Sequence, residues 1–376
     1  MNSNLSDREN VRIICSEKSW IEGDAVRQLQ QASALDGIVY SVGLPDIHPG
    51  KYGPVGAAYM ANGIIYPALI GNDVGCGVGL FSTRIKKKKI KKDKWIKKLK
   101  DFDQPFDGDL DKWRLRFSLD AGPNDIALGT IGGGNHFAEL QSIEKVFDNT
   151  TLDALGLDKN YLAILVHSGS RSIGNVLLRK HTDMYGAKGL DADSMEARRY
   201  LADHDEALKW AACNRALIAH RFGSSIGSKC TPVIDVCHNS VVRKSDDNGA
   251  FWLHRKGAAS SEAGIVAVPG SRGSLSYLVK AKGEQEINLW SLPHGAGRKW
   301  SRGSCKEKLR DRFPAKSLIQ TALGSYVICE DKDLLYEEAP QAYKNIDAVI
   351  ADLIGADLID VVATLKPIIT YKMRKN

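Results

Sequence analysis

The chain has 376 residues, 43% of them hydrophobic, and a formal charge of +7; it can bury a large core, as one big domain or two ordinary ones. It contains no apolar run of about 18 residues that could span a bilayer and no N-terminal stretch resembling a secretory signal, so no membrane role is expected and a cytoplasmic location is. Seven cysteines, scattered from Cys15 to Cys329 without a CxxC pair, fit a reducing compartment and argue against a disulfide framework.

From the N-terminus, Trp20 to Ala34 reads as an amphipathic helix with Ala25, Leu29 and Ala32 on one face, packed on a first sheet. Ile38 to Leu44 is β-like and runs into Pro45, Asp46, Ile47, His48, Pro49 and Gly50, an expected exposed turn carrying an Asp and a His. Val55 to Tyr59 and Ile64 to Leu69 are expected as strands joined by an Asn62-Gly63 hairpin turn. They deliver the chain to the run Asn72, Asp73, Val74, Gly75, Cys76, Gly77. An Asp and a Cys three residues apart on a glycine-loosened backbone can aim at one point. Carboxylate and thiolate both ligate divalent cations, and a thiolate can bridge two. The competing reading is a small buried Cys beside a turn-capping Asp; the positions of the histidines favour the metal.

Lys86 to Lys100 holds ten lysines and one aspartate, a local charge of +9, so the rest of the chain carries −2. Such a run is either a phosphate-neutralising surface or a solvated face with snorkelling lysines. Gly129 to Glu139 places Asn135, His136 and Glu139 beside three consecutive glycines, suited to close approach of a phosphate or a metal. The loop lacks the Gly-Lys-Ser/Thr ending of a Walker loop. Tyr161 to Val166 is an apolar strand that ends in His167, Ser168, Gly169, Ser170 and Arg171. Ser194 to Phe222 has helical periodicity, and His181, His204 and His220, in or near it, read as surface or packing residues. Thr231 to Cys237 is another strand, ending in His238 and Asn239. His254, Arg255 and Lys256 offer cations for phosphate, Pro269 to Ser276 a hydroxyl-rich turn, and His294 lies among small residues. Six of nine histidines thus sit in Gly-, Asn- or Arg-bearing loops, which points to metal-dependent phosphoryl transfer.

The motifs PDIHPGKYGPVG, NDVGCG, GTIGGGNHFAE, HSGSR, HRKGA, PGSRGS and SLPHGAGR, in this order over about residues 45 to 302, resemble those of the RtcB-type RNA ligases. The EEAPQAYKNID run and the C-terminal lysines extend the similarity. The resemblance implies a single mixed α/β (α+β) domain over residues 1–376, with sheets flanked by helices and ligands on strand-end loops. It implies joining of an RNA 3′-phosphate or 2′,3′-cyclic phosphate to a 5′-hydroxyl, using GTP and two manganese ions through a guanylylated histidine. Matched residue by residue, Asp73, Cys76, His136, His167 and His238 are the implied metal ligands, and His294 the implied nucleophile. Asn135, Glu139, Ser271, Ser276, Ala296, Arg298 and Lys372 are implied to hold the nucleotide; Arg171, His254, Arg255 and Lys256 are implied to face RNA phosphates. The chain departs from the pattern where VGLFSTRI runs directly into the lysines and where Met373, not glycine, follows Lys372.

The compact length, PDIHPG and LPHGAGR resemble a short bacterial subgroup found beside the protein called peptide chain release factor H, which implies repair of ribosomal RNA. Two rivals stand beside the ligase: a metallo-phosphoesterase that opens cyclic ends without joining, and an RNA- or ribosome-binding protein that uses metal structurally.

Overall fold

The computed structural model describes residues 10–246 and 249–374, so Lys375 lies outside the described residues. The chain begins with β1 (Val11–Ile13), α1 (Gly23–Ser33), β2 (Ile38–His48), β3 (Val55–Ala61), β4 (Ile64–Ile65) and β5 (Gly77–Lys86). It continues through α2 (Lys92–Lys98), α3 (Leu110–Phe117), β6 (Phe137–Val146), α4 (Asn149–Ala154), β7 (Tyr161–Ser168), α5 (Ser172–Tyr185), β8 (Leu190–Asp191) and α6 (Met195–Ile226). Next come β9 (Cys230–Cys237), β10 (Asn239–Asp246), β11 (Gly249–Lys256), β12 (Ala258–Ser260), β13 (Ile265–Val268), β14 (Ser276–Ala281) and β15 (Ser291–Pro293). The chain closes with α7 (Arg302–Leu309), β16 (Tyr326–Cys329), α8 (Lys332–Glu337), α9 (Ile346–Gly355) and β17 (Ile359–Met373).

The larger sheet has the order β13-β14-β17-β6-β7-β5-β9, with β16 added beside β17. Its interior strand β7, YLAILVHS, is apolar almost throughout, as a strand covered on both faces must be. Leu162, Ile164 and Val166 pack on Ala216, Ala219 and Phe222 of α6, while Ala163 and Leu165 enter a cluster with Val78, Leu80, Ala267, Leu278 and Leu365. The sheet curls round that second cluster until β13 meets β9. His167 shares the parity of Leu165, so the two-residue period of the strand turns its ring to the concave side. The second sheet, β1-β2-β3-β11-β10, carries α1 on one face through Ala25, Leu29 and Ala32, as the periodicity requires. Its other face joins a core with β15 and α9.

Helix α6 is capped by Ser194, whose hydroxyl accepts from Ala197 N, and ends at Gly227 in the left-handed conformation. It carries two buried polar side chains side by side. Arg215 donates from Nη1 to the carbonyls of Gly75 (2.7 Å) and Ser168 (3.0 Å), and grips Asp235 with Nε (2.5 Å) and Nη2 (2.9 Å). Asn214 donates from Nδ2 to Thr130 O and Gly169 O and accepts from Gly129 N. One turn of helix therefore ties together the loops before β5, before β6 and after β7.

Two expectations from the sequence are corrected. Residues 45–48 are not an exposed turn: they continue β2, and Asp46 is fully buried. Pro45 is tolerated because β1 pairs β2 at residues 41–43 and goes no further, and the Lys344 ammonium takes the carbonyls of Pro45 and Ile47. Nor do residues 64–69 form a strand hairpinned to β3. Ile64–Ile65 pairs with β8, and Pro67, which lacks an amide donor, opens a short 3₁₀ turn over Pro67–Leu69.

Arg215→Met removes the guanidinium that pairs with Asp235 and the donors it offers to the carbonyls of Gly75 and Ser168. We expect a loss of roughly 3 kcal/mol, read as a lower urea midpoint; an unchanged midpoint would show that the clamp contributes nothing to folding.

Candidate active site

Strand direction alone gathers the candidate ligands at one edge of the larger sheet. β5 runs antiparallel to β7 and β9, and β6 antiparallel to β7, with Gly77 opposite both Ser168 and Cys237, and Phe137 opposite His167. The starts of β5 and β6 therefore lie beside the ends of β7 and β9. Asp73 and Cys76 precede β5, His136 precedes β6, His167 is near the end of β7, and His238 follows β9.

All five meet. Cys76 Sγ lies 3.4 Å from His136 Nε2 and 3.2 Å from His167 Nε2, and His167 Nε2 lies 3.3 Å from His238 Nε2. Asp73 Oδ2 accepts from His136 Nε2 at 2.8 Å. Asp73 Oδ1 is buried with no hydrogen-bond partner among the described residues. Gly169 makes room for this carboxylate, since a Cβ there would lie 2.1 Å from Asp73 Oδ1. Asn239 holds the loop by donating to Asp73 O and accepting from Gly257 N.

Burial, then the neighbouring imidazoles, push the His167 and His238 pKa values well below the ordinary range, so both rings are neutral and keep a lone pair for an ion. Burial and the Asp73 charge push the Cys76 thiol well up; a bound cation would reverse that. Burial also works against the Asp73 charge, but His136 outweighs it and holds this carboxyl below its usual value. A thiol, a carboxylate and three imidazole nitrogens converging in a buried pocket are a donor set that fits divalent transition-metal ions.

His294 follows β15, and its ring centroid lies 5.1 Å from that of His238. Its Nδ1 donates to Asp46 Oδ2 at 2.6 Å. This bond fixes the tautomer and leaves Nε2 as the atom with the free lone pair. His48 stacks on the ring at 6.0 Å, and burial, then the neighbouring His294 imidazole, drives its pKa down to about 3, so it stays uncharged.

His294 borders two cavities. The smaller, about 550 Å³, is lined by Asn135, Glu139, Ser271, Ala296 and Lys372 among others. The larger cleft opens over Asp73, Cys76, His136, His238, Arg171 and Lys256. Of the residues implied to hold a nucleotide, Ser276 stands behind the first cavity, its hydroxyl accepting from Gly270 N. Arg298 borders the larger cleft with its donors already bonded to Trp300 O, Glu338 and Glu337 O.

The four residues implied to face RNA separate. Arg171 lies in the cleft at positive φ (60°), its guanidinium filling the space a Cβ on Gly132 would need. Lys256 also reaches the cleft, donating to Gly53 O, with its pKa lowered to about 8 by burial. His254 and Arg255, on opposite faces of β11, are both buried and do not line the cleft. His254 Nε2 accepts from Tyr66 N, and Arg255 donates to Ser291 Oγ and Trp290 O, bracing the strand that leads to His294. The histidines set aside as packing residues stay out of the site. His181 and His204 are buried and bond Lys188 O and Val241 N, and His220 is exposed beside Trp113.

Three residues escaped the sequence reading. Asp46 was visible as a carboxylate but not as the partner of His294, 248 positions away. Glu338 faces Arg298, Arg302 and Lys372 from within EEAPQAYKNID. Arg302, half-exposed, adds a cation to the cleft without a motif around it.

Glu139 is buried in the smaller cavity and accepts from Thr370 Oγ1 and Gln141 Nε2. Burial raises its pKa to about 7, against lowering by Thr370 and Lys372. Below the unfolded value near 4.5 both states hold the proton; between there and about 7 the unfolded state loses it first, so stability falls as pH rises across that window. Glu139→Gln should therefore stabilise the ligand-free protein by on the order of 2 kcal/mol at pH 8 and by little at pH 4.5. Parallel melting curves across that range would contradict this.

Comparison with known proteins covers nearly the whole chain. A family model described as "tRNA-splicing ligase RtcB" covers residues 28–109 and 120–373. The chain is 45% identical over 368 residues to the RNA-splicing ligase RtcB2 of Escherichia coli strain ATCC 25922, covering 98% of this chain and 96% of that one. It is 30% identical to the tRNA-splicing ligase RtcB of Archaeoglobus fulgidus, over 93% of this chain and 91% of that one, and 27% identical to the RNA-splicing ligase RtcB of Escherichia coli K12, over 99% and 100%. With the motifs in order, the ligand cluster assembled and nearly the whole length aligned, this chain belongs to the RtcB family.

Proposed function

We propose that this chain is an RNA ligase that joins an RNA 3′-phosphate or 2′,3′-cyclic phosphate end to a 5′-hydroxyl at the expense of GTP, with His294 as nucleophile, and that residues 1–376 act as one unit. The observation that carries this reading is His294, oriented by Asp46 and set between two cavities. A protein that uses metal structurally needs no oriented imidazole, and a phosphoesterase that only opens cyclic ends needs no second pocket beside the ligand cluster.

In this reading Asp73, Cys76, His136, His167 and His238 would hold two divalent ions, assigned as manganese, whose charge draws electron density from phosphoryl oxygens. His294 Nε2 attacks the α-phosphorus of GTP; an N–P bond forms, the bond to the β-phosphate oxygen breaks, and pyrophosphate leaves. Asp46 keeps the Nδ1 proton and stabilises the positive charge that develops on the ring. GMP then passes to an RNA 3′-phosphate oxygen as the N–P bond breaks. The 5′-hydroxyl oxygen attacks the activated 3′-phosphorus, loses its proton and displaces GMP. A cyclic end is first opened by water.

Asn135, Ser271, Ala296 and Lys372 surround the nucleotide, with Glu139 accepting from the donor edge of guanine and Ser276 and Arg298 shaping the walls. Arg171 and Lys256 receive RNA phosphates, where a guanidinium and an ammonium suit oxyanions. On subgroup resemblance we assign ribosomal RNA as the strand repaired and a protein like peptide chain release factor H as the partner; failure to reseal cut ribosomal RNA would remove that assignment.

His294→Ala should bind metal as the parent does yet acquire no label from GTP, while still joining RNA supplied with a 3′-guanylylated end. Cys76→Ser should lose both labelling and rescue, because the missing thiolate impairs ion binding. Undiminished labelling of His294→Ala would move the nucleophile elsewhere.

Asp46→Asn offers His294 an amide donor and selects the wrong tautomer. Labelling should slow by about 10³ to 10⁴, with joining of preactivated RNA retained. An unchanged labelling rate would sever Asp46 from the chemistry.

A further inference from the structure

The Lys86 to Lys100 run forms a ribbon whose course the sequence does not disclose. It starts at the far end of β5 from the ligand cluster, where Lys87 N donates to Asn160 O. β5 is ten residues long, so this start lies roughly 30 Å from the site edge. From there α2 climbs back. Trp95 and Leu99 are buried against α6 and anchor it. Ile96 O accepts from Arg374 Nη2 at 2.7 Å, two residues beyond Lys372, and Phe102 O accepts from Ile131 N at 3.2 Å, directly before the glycines of the cleft. The ribbon thus spans the height of the sheet and ends beside the cleft.

Most of its charge is uncompensated among the described residues. Nine of its ten lysines are exposed. Lys87 has Glu144 at 3.9 Å and Lys100 has Asp101 at 3.8 Å, but among the described residues no carboxylate comes within ion-pair range of Lys88, Lys89, Lys91, Lys94, Lys97 or Lys98. Solvated faces usually intersperse both signs. Here like charges crowd one short segment at a cost in stability, and a polyanion would relieve that repulsion.

We propose that this ribbon is a docking track for RNA backbone phosphates, holding the strand that leads away from the joined ends. The proposal rests on the RNA-ligase reading for its substrate and adds a second contact surface outside the cleft. Lysines recognise phosphates as point charges, so the track is indifferent to base sequence and gains affinity with strand length.

The test compares the parent with a variant carrying Lys91→Gln, Lys94→Gln, Lys97→Gln and Lys98→Gln. Two RNAs are used, of about six and about thirty nucleotides, and both binding and joining are measured. The variant should bind the long RNA roughly tenfold or more weakly, and its log–log salt slope should fall by about 2 to 3. Binding and joining of the short RNA should be unchanged, as should labelling by GTP. An unaltered slope and affinity for the long RNA would overturn the track and leave the ribbon as a solvated face or a dock for an acidic protein. Equal losses on both RNAs would also overturn it, because the ribbon would then act through the cleft. Absence of joining by the parent would refute the ligase reading, while the binding measurements would still decide the track.

Discussion

Arg215 and its neighbour Asn214 are the hinge on which the active site depends. A buried guanidinium costs several kcal/mol to remove from water, and that cost is offset only by good geometry. Here Asp235 binds it through two nitrogens and two carbonyls take the donors of the third, so the charge persists although burial opposes it. The carbonyls belong to Gly75 and Ser168, beside Cys76 and His167, and the Asn214 amide reaches the loop that leads to His136. The apolar strands bring the ligand-bearing loops to one edge; the clamp sets how far each extends beyond it.

The ligand pocket is built from groups that water would serve better. Two neutral imidazoles, a protonated thiol and a carboxylate with one oxygen unpartnered lie within contact of each other. Such an arrangement spends folding stability on readiness for cations. The smaller cavity repeats the pattern, with Glu139 raised toward neutrality and Lys372, bonded to Gly134 O, lowered to about 8 by burial. Glu338 balances the cations around it, which lets Arg298, Arg302 and Lys372 share one wall.

The HRKG segment illustrates how part of a motif can matter through the packing behind a site. Its strand β11 lies between β3 and β10, so His254 and Arg255 satisfy backbone and hydroxyl groups inside the protein. Arg255 bonds Ser291 and Trp290 just before His294, and Gly257 permits close approach of the His294 ring, which a Cβ would meet at 3.0 Å. Lys256 alone of the three cations reaches the cleft.

The sequence by itself singled out the five candidate ligands that converge at the sheet edge, Asp73, Cys76, His136, His167 and His238. A Cys and an Asp three residues apart, glycine-flanked histidines at the ends of apolar strands and the order of seven motifs all reflect local chemistry, which needs no knowledge of distant contacts. It likewise determined α1, β7 and α6, whose periodicity is strong. The tertiary structure decided what depended on partners far along the chain. The burial of Asp46 and its bond to His294 arise because residues 45–48 continue β2 and the loop after β15 folds onto them. The burial of His254 and Arg255 follows from their strand lying inside a sheet. The loss of the expected hairpin follows from β8 capturing Ile64–Ile65. A side chain's type states what it can bind; which partner it meets is set by sheet order and register, and those are properties of the whole packed chain.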